Sequence, residues 1–345
     1  MNKAENALSA KAHALYAKRL STEDYSAMLA CRSHSELFAY LKSNTSYGEY
    51  METLPAVHLS RPRYENALNQ ILLNKIASLC RFEKLIGEKL YRYFIVRNEI
   101  ETIIYCSRHL DTDTITDLFI IPDFYKKEQS VLGEELQKAR SFSQLASFLE
   151  GTPYKKAVDT IVHQNQDVGL AALENALYNY LYTNAAEAVK KGFRGKQREE
   201  ILDYFRFLSD MTMIETLYRL NANYSQTDNY KANMFISSVS AFSEKDIQRL
   251  IDCTSADEIM QIVLSSPYKK YFSKNDRRPI GQRIREAEVR MSTKRLRFSQ
   301  NPIVCMLCFS TFAENEVKNI THIIEGIKYN LSPDEISKII VKGEC

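Results

Sequence analysis

Apolar residues recur along this chain with the roughly 3.6-residue beat of helices, not the two-residue beat of strands. Tyr and Phe interleave with Leu, Ile and Met at that spacing. Glu65-Asn-Ala-Leu68 and Glu174-Asn-Ala-Leu177 each read as the opening of a long amphipathic helix, with a weaker copy at Arg285-Glu-Ala-Glu288. The first twenty residues are amphipathic and charged throughout, without the apolar centre of a signal peptide. The longest uninterrupted apolar run, Ile303–Phe309, has seven residues, far short of the roughly eighteen needed to cross a membrane. The pattern predicts long helices and no membrane span.

Three segments superimpose. Ser33-His-Ser-Glu36 leads to Leu41 and Tyr47, Ser141-Phe-Ser-Gln144 to Leu149 and Tyr154, and Ser255-Ala-Asp-Glu258 to Val263 and Tyr268. Each opens with the capping-box pattern, in which Ser accepts an N–H of the first turn and Glu or Gln reaches back to the N–H of the cap. Pro153 and Pro267 stop the second and third short helices, because proline cannot continue the ladder. The three tyrosines are expected to pack at the helix exits and to hydrogen-bond a backbone group. Downstream, Ile100-Glu-Thr102 recurs as Ile214-Glu-Thr216, each behind an aromatic-rich stretch. The order of features predicts an all-α fold of three homologous helical bundles about a pseudo-threefold axis, funnel-like. The expected divisions are a leading helix over 1–21, then units over 22–125, 126–240 and 241–345, with polar breaks near Ile121–Lys127 and Asn223–Asn229.

Composition sharpens this. Glycine (10) and proline (8) make up about one residue in twenty, against roughly 12% in an average protein, which excludes a loop-rich sandwich or barrel. Seven scattered cysteines suit a reducing compartment better than a disulfide framework. The net charge of +3 is too small for a histone-like nucleic-acid binder. The charge is unevenly spread, however. Lys274, Arg277, Arg278, Arg283, Arg285, Arg290, Lys294, Arg295 and Arg297 face only three acidic residues within 24 positions. That segment reads either as a solvated helix face or as a candidate interface, for an anionic surface or for polar loops of a partner.

Candidate chemistry is thin. Asp111-Thr-Asp113-Thr114 spells a phosphoryl-transfer motif but follows no strand, so it reads as a helix exit and cap. Cys305-Met-Leu-Cys308 has zinc spacing without a second pair, and lies in the apolar run as two core thiols a turn apart. The six histidines (13, 34, 58, 109, 163 and 322) form no H-x-x-x-H or H-E-x-x-H pair. Lys191–Lys196 lacks the G-K-S/T ending of a P-loop and reads as a basic inter-helix loop. No catalytic residue, cofactor site or metal site is expected.

Arg19-Leu20, Glu23-Asp24-Tyr25 and Ser46-Tyr47 resemble the opening of the C-subunit family of prokaryotic V-type (A/V-type) ATPases, which is similar to the d subunit of eukaryotic V-ATPases. Residues 139–158 and 253–272, and the stretch from Glu314 to Ile336, resemble that family's later parts, so the likeness spans the chain. The first copy departs in having Ser46-Tyr47-Gly48 where the others have Pro-Tyr-Lys. The resemblance implies a non-catalytic member of the central rotor, peripheral to the membrane on the cytoplasmic side. It would receive the D and F subunits of the central shaft, sit on the membrane proteolipid ring and transmit torque for proton or sodium transport. Neither nucleotide nor nucleic acid would bind, and anionic headgroups at the ring edge are a further expected contact. Two other readings stand beside it: a helical adaptor gripping peptides in an aromatic-lined concavity, and an all-α terpenoid-synthase-like enzyme, for which no D-D-x-x-D is found.

Overall fold

A computed structural model describes residues 3–51, 61–87, 89–110, 122–131, 133–159, 166–223 and 239–343. Every regular element among them is helical, so the fold is all-α. Asp111–Thr114, His58, His163, Cys345 and all but Asn223 of the second polar break lie outside the described residues.

In chain order the α-helices are α1 (Lys3–Ala17), α2 (Thr22–Ala30), α3 (His34–Asn44), α4 (Gly48–Met51), α5 (Arg61–Ile86) and α6 (Arg92–Arg108). Next come α7 (Asp123–Lys126), α8 (Gly133–Leu136), α9 (Phe142–Phe148), α10 (Lys155–Asp159), α11 (Gln166–Gly192) and α12 (Gly195–Asn223). The last are α13 (Glu244–Asp252), α14 (Ala256–Ser265), α15 (Ile280–Phe298), α16 (Pro302–Lys328) and α17 (Pro333–Ile339). Glu174 lies two turns inside α11, which starts earlier than its sequence motif. The 125/126 division falls within α7.

The three predicted short helices are α3, α9 and α14, N-capped by Ser33, Ser141 and Ser255. Their second capping arm differs from the expectation. Glu36, Gln144 and Glu258 accept from the N–H groups of Arg32, Arg140 and Thr254, at 2.8, 2.7 and 2.8 Å, one residue before the cap. The reciprocal box occurs instead at Ser21/Asp24 of α2 and Ser332/Glu335 of α17. Leu41, Leu149 and Val263 are fully buried.

The chain forms two compact units. One joins the described residues up to Gly87 with Pro122 and those from Asn275 onward. Its centre is α16, buried around almost its whole circumference from Pro302 to Gly326. Helices α1, α3, α5, α15 and α17 pack against it. Leu37, Leu41, Leu68, Ile71, Ile320, Ile323 and Ile324 form the core there. Asn319 pairs with both backbone groups of Val341, at 2.8 and 2.9 Å, and Asn315 adds a third bond to the Val341 carbonyl. At Gly326 a Cβ would stand 2.4 Å from the Ile336 side chain, so the glycine is what lets α17 lie against α16. The other unit runs from Lys89 to Lys274, less Pro122. There α11 packs between α6 and α12, and α8 and α14 lie on α6 and α12 respectively.

The first copy's departure from Pro-Tyr-Lys has a steric cause. A Cβ on residue 48 would stand 2.1 Å from the Lys42 carbonyl oxygen, in the last turn of α3. At that approach of backbone to backbone only glycine fits. Replacement by alanine must move backbone, so Gly48→Ala is expected to lower stability by about 1–3 kcal/mol in urea denaturation. A loss below about 0.5 kcal/mol would mean that the contact is not a constraint.

Candidate functional site

The hydroxyls of the three repeat tyrosines were expected to hydrogen-bond backbone groups; they donate instead to buried carboxylates. The Tyr47 hydroxyl donates to Glu316 Oε2 at 3.4 Å, that of Tyr154 to Glu99 Oε2 at 2.5 Å and that of Tyr268 to Asp210 Oδ2 at 2.5 Å. Each carboxylate also receives backbone N–H from the segment entering the first short helix of the same group. Leu20 N–H donates to Glu316 at 2.6 Å, Ser130 and Val131 N–H to Glu99 at 2.5 and 3.1 Å, and Ala241 N–H to Asp210 at 2.9 Å. The Ser130 and Ser240 hydroxyls add further bonds to Glu99 and Asp210. One acid therefore clasps the entry and the exit of a short-helix pair.

The acids share a local signature. Asn98-Glu99, Ser209-Asp210 and Asn315-Glu316 are polar–acid dyads, all buried. Tyr93-Phe94 and Tyr204-Phe205 each precede their acid by the same spacing, 111 positions apart. The Ile-Glu-Thr match, at 114, is about one helical turn out of this register. The carriers follow a cyclic order: Glu99 in 22–125 holds Tyr154 of the next stretch, Asp210 in 126–240 holds Tyr268, and Glu316 in 241–345 returns to Tyr47.

Around the first clasp, the Lys75 ammonium lies 4.0 Å from the centre of the Tyr47 ring and 5.7 Å from that of Tyr50. Burial raises the carboxyl of Glu316 and lowers the ammonium of Lys75, while their mutual attraction opposes both shifts. Burial also raises the phenol of Tyr47 far above its ordinary range, keeping it a proton donor. Tyr154 and Tyr268 are raised for the same reason, reinforced by Glu99 and Asp210. These groups are held for structure, since each donor and acceptor is turned onto the protein itself.

The structure divides the basic segment. Arg283 is buried, its side chain 6% exposed, with Asp276 at 3.9 Å, so it is not available at the surface. Arg278 is held by both Asp276 and Glu286. Arg285 donates to the Ile339 carbonyl at 3.2 Å and Arg295 is half-buried. Arg277, Arg290, Lys294 and Arg297 are exposed, and the last three lie at helical spacing on one side of α15. Phe298, 77% exposed, ends that face. The sequence did not single out Phe298; its signal was an aromatic at the foot of a cationic stripe.

The remaining motifs are structural. Cys305 and Cys308 are buried thiols in α16. Arg194 caps α11 by donating to the carbonyls of Lys190, Lys191 and Phe193. Among the described residues no cluster of His, Cys, Asp and Glu could hold a metal ion, and no helix is long and apolar enough to cross a membrane. The groove between α13 and α14 is lined by Arg249, Asp252, Cys253, Glu258, Gln261, Ile262 and Ser265.

The buried acids are thus committed to holding helices of the same chain together, by a clasp that recurs three times. The family model of the ATP synthase (C/AC39) subunit matches residues 8–339, and the chain belongs to that family of V/A-type ATP synthase subunits. No individual curated protein matches the sequence.

Asp210 gives a pH test. Burial raises its carboxyl from 3.8 to about 6, despite the bonds from Ser240, Tyr268 and Ala241. A raised acid keeps its proton in the folded state where the unfolded chain has lost it, so its contribution is present below about pH 4 and is lost as pH rises to about 6. The unfolding free energy of the natural chain minus that of Asp210→Asn should fall by about 2 kcal/mol between pH 4 and pH 7. Parallel pH profiles would contradict the assignment.

Proposed function

We propose that this chain is the non-catalytic central-rotor subunit of its ATPase, coupling the D and F subunits of the shaft to the membrane proteolipid ring. The family match supports membership of the complex, and the cyclic order of the three clasps is the observation that carries the mechanical reading. Three clasps of one kind, recurring in that order, suit three like helical groups about a pseudo-threefold axis, the funnel-like arrangement expected of a rotor member. At each clasp the short-helix pair is fixed against the long helix that carries the acid, which resists sliding under load. The subunit's role in proton or sodium transport is to transmit torque rather than to bind nucleotide.

The exposed face of α15 is the proposed contact with the ring or with anionic headgroups at its edge, placing the protein peripherally on the cytoplasmic side. Each basic side chain near such a surface contributes about 1 kcal/mol, so Arg290, Lys294 and Arg297 act together or not at all. The buried Arg283 and the doubly paired Arg278 are withdrawn from that role. The adaptor and diphosphate-enzyme readings receive no supporting observation.

The test is co-purification with a D–F shaft and with a detergent-extracted proteolipid ring. Capture of both is expected. Replacing Arg290, Lys294 and Arg297 by Glu should weaken ring binding at least tenfold and leave shaft binding unchanged. Failure to bind either partner would overturn the proposal.

A further inference from the structure

The three clasps differ in one respect that follows from chain connectivity alone. Glu99 and Tyr154 are 55 positions apart, and Asp210 and Tyr268 are 58 apart. Glu316 and Tyr47 are 269 apart and come from opposite ends of the chain. Where the acid is Glu99 or Asp210, the chain runs on from the helix that carries it to the pair that it holds. Where the acid is Glu316, α16 is followed by the single short helix α17, and α2 and α3 from the N-terminal region occupy the seat.

We infer that Glu316–Tyr47 is a closing latch, by which α2 and α3, early in the chain, fill against α16 the place that α8 and α9 fill against α6 and that α13 and α14 fill against α12. Several contacts fix this closure. His34 Nε2 lies 3.0 Å from the Ile324 carbonyl of α16, and His13 Nε2 lies 2.9 Å from the Leu296 carbonyl of α15. Asn319 donates to the Tyr25 hydroxyl at 3.0 Å while its amide also holds Val341, so one residue of α16 touches both ends of the chain. The edge of Tyr16 meets Phe312, whose ring lies 3.0 Å from where a Cβ of Gly343 would stand.

A chain closed in this way carries a complementary seat at one end and its occupant at the other. When the latch opens within one chain, the same surfaces fit a second copy, the arrangement that gives swapped dimers. The other two clasps cannot exchange so readily, because each joins neighbours in sequence and the loop that closes it is short.

Two measurements on the full-length chain test this. The first is a circular permutant opened within 52–60, with the present ends joined. Lys3 lies one α1 length, about 20 Å, from the Tyr16 end near Gly343, so a flexible linker of about twelve residues spans the gap. The permutant should fold to a monomer of unchanged helicity. The second is Tyr47→Phe/Glu316→Gln in the natural order, compared with Tyr154→Phe/Glu99→Gln. The latch pair should give concentration-dependent dimers and at least a tenfold rise in hydrogen exchange over 3–51. In the permutant the same pair should give no dimers. The Glu99 pair should give none in either background. A permutant that fails to fold while the natural chain folds, or latch variants that stay monomeric with exchange no faster than in the Glu99 variants, would overturn the inference.

Discussion

A carboxylate removed from water is costly unless donors surround it, and the fold turns that cost into positional control. Glu99, Asp210 and Glu316 are each buried on a long helix, and each takes its donors from chain that is otherwise irregular. The acid can be satisfied only if the entry segment and the exit tyrosine of a short-helix pair both arrive. Apolar packing supplies most of the adhesion, through residues such as Leu37, Leu41 and Ile320 on α3 and α16. It is non-directional, however, and would tolerate sliding. The clasps specify where each pair sits.

This division of labour suits the torque-transmitting role proposed for the chain. Helices that meet only through apolar ridges can shift against one another, whereas a buried acid with two or more donors has one low-energy arrangement. Lys75 adds to the first clasp by compensating Glu316 through the ring of Tyr47. The amides of Asn315 and Asn319 hold Val341 in the same neighbourhood. The polar interior of α16 is thus concentrated where the two ends of the chain meet.

The helices, the three capped short elements and the family were all legible in the sequence, because caps and aromatic stops are local and their spacing survives. The partners of the tyrosines were not. Glu99 and Asp210 sit on helices that carry several other charges, and Glu316 has Glu314 and Lys318 beside it, so each carboxylate reads as one of a solvent-facing set. Burial is decided by which helix lies against which, and one sequence without its packing does not state that. The dyads Asn98-Glu99, Ser209-Asp210 and Asn315-Glu316 were the available signal, and the more conspicuous Ile-Glu-Thr match obscured the register. The basic segment was read as one surface, yet Arg283 turns inward because Asp276 and the core side of α15 receive it.

Native-state hydrogen exchange of individual backbone amides tests the central claim most directly. Leu20, Val131 and Ala241 belong to no helix, and ordinary loop amides exchange nearly as fast as those of an unfolded chain. If buried carboxylates hold them, these three should exchange as slowly as the amides in the middle of α16. Exchange at the rate of exposed loops would mean that the clasps are not formed in solution.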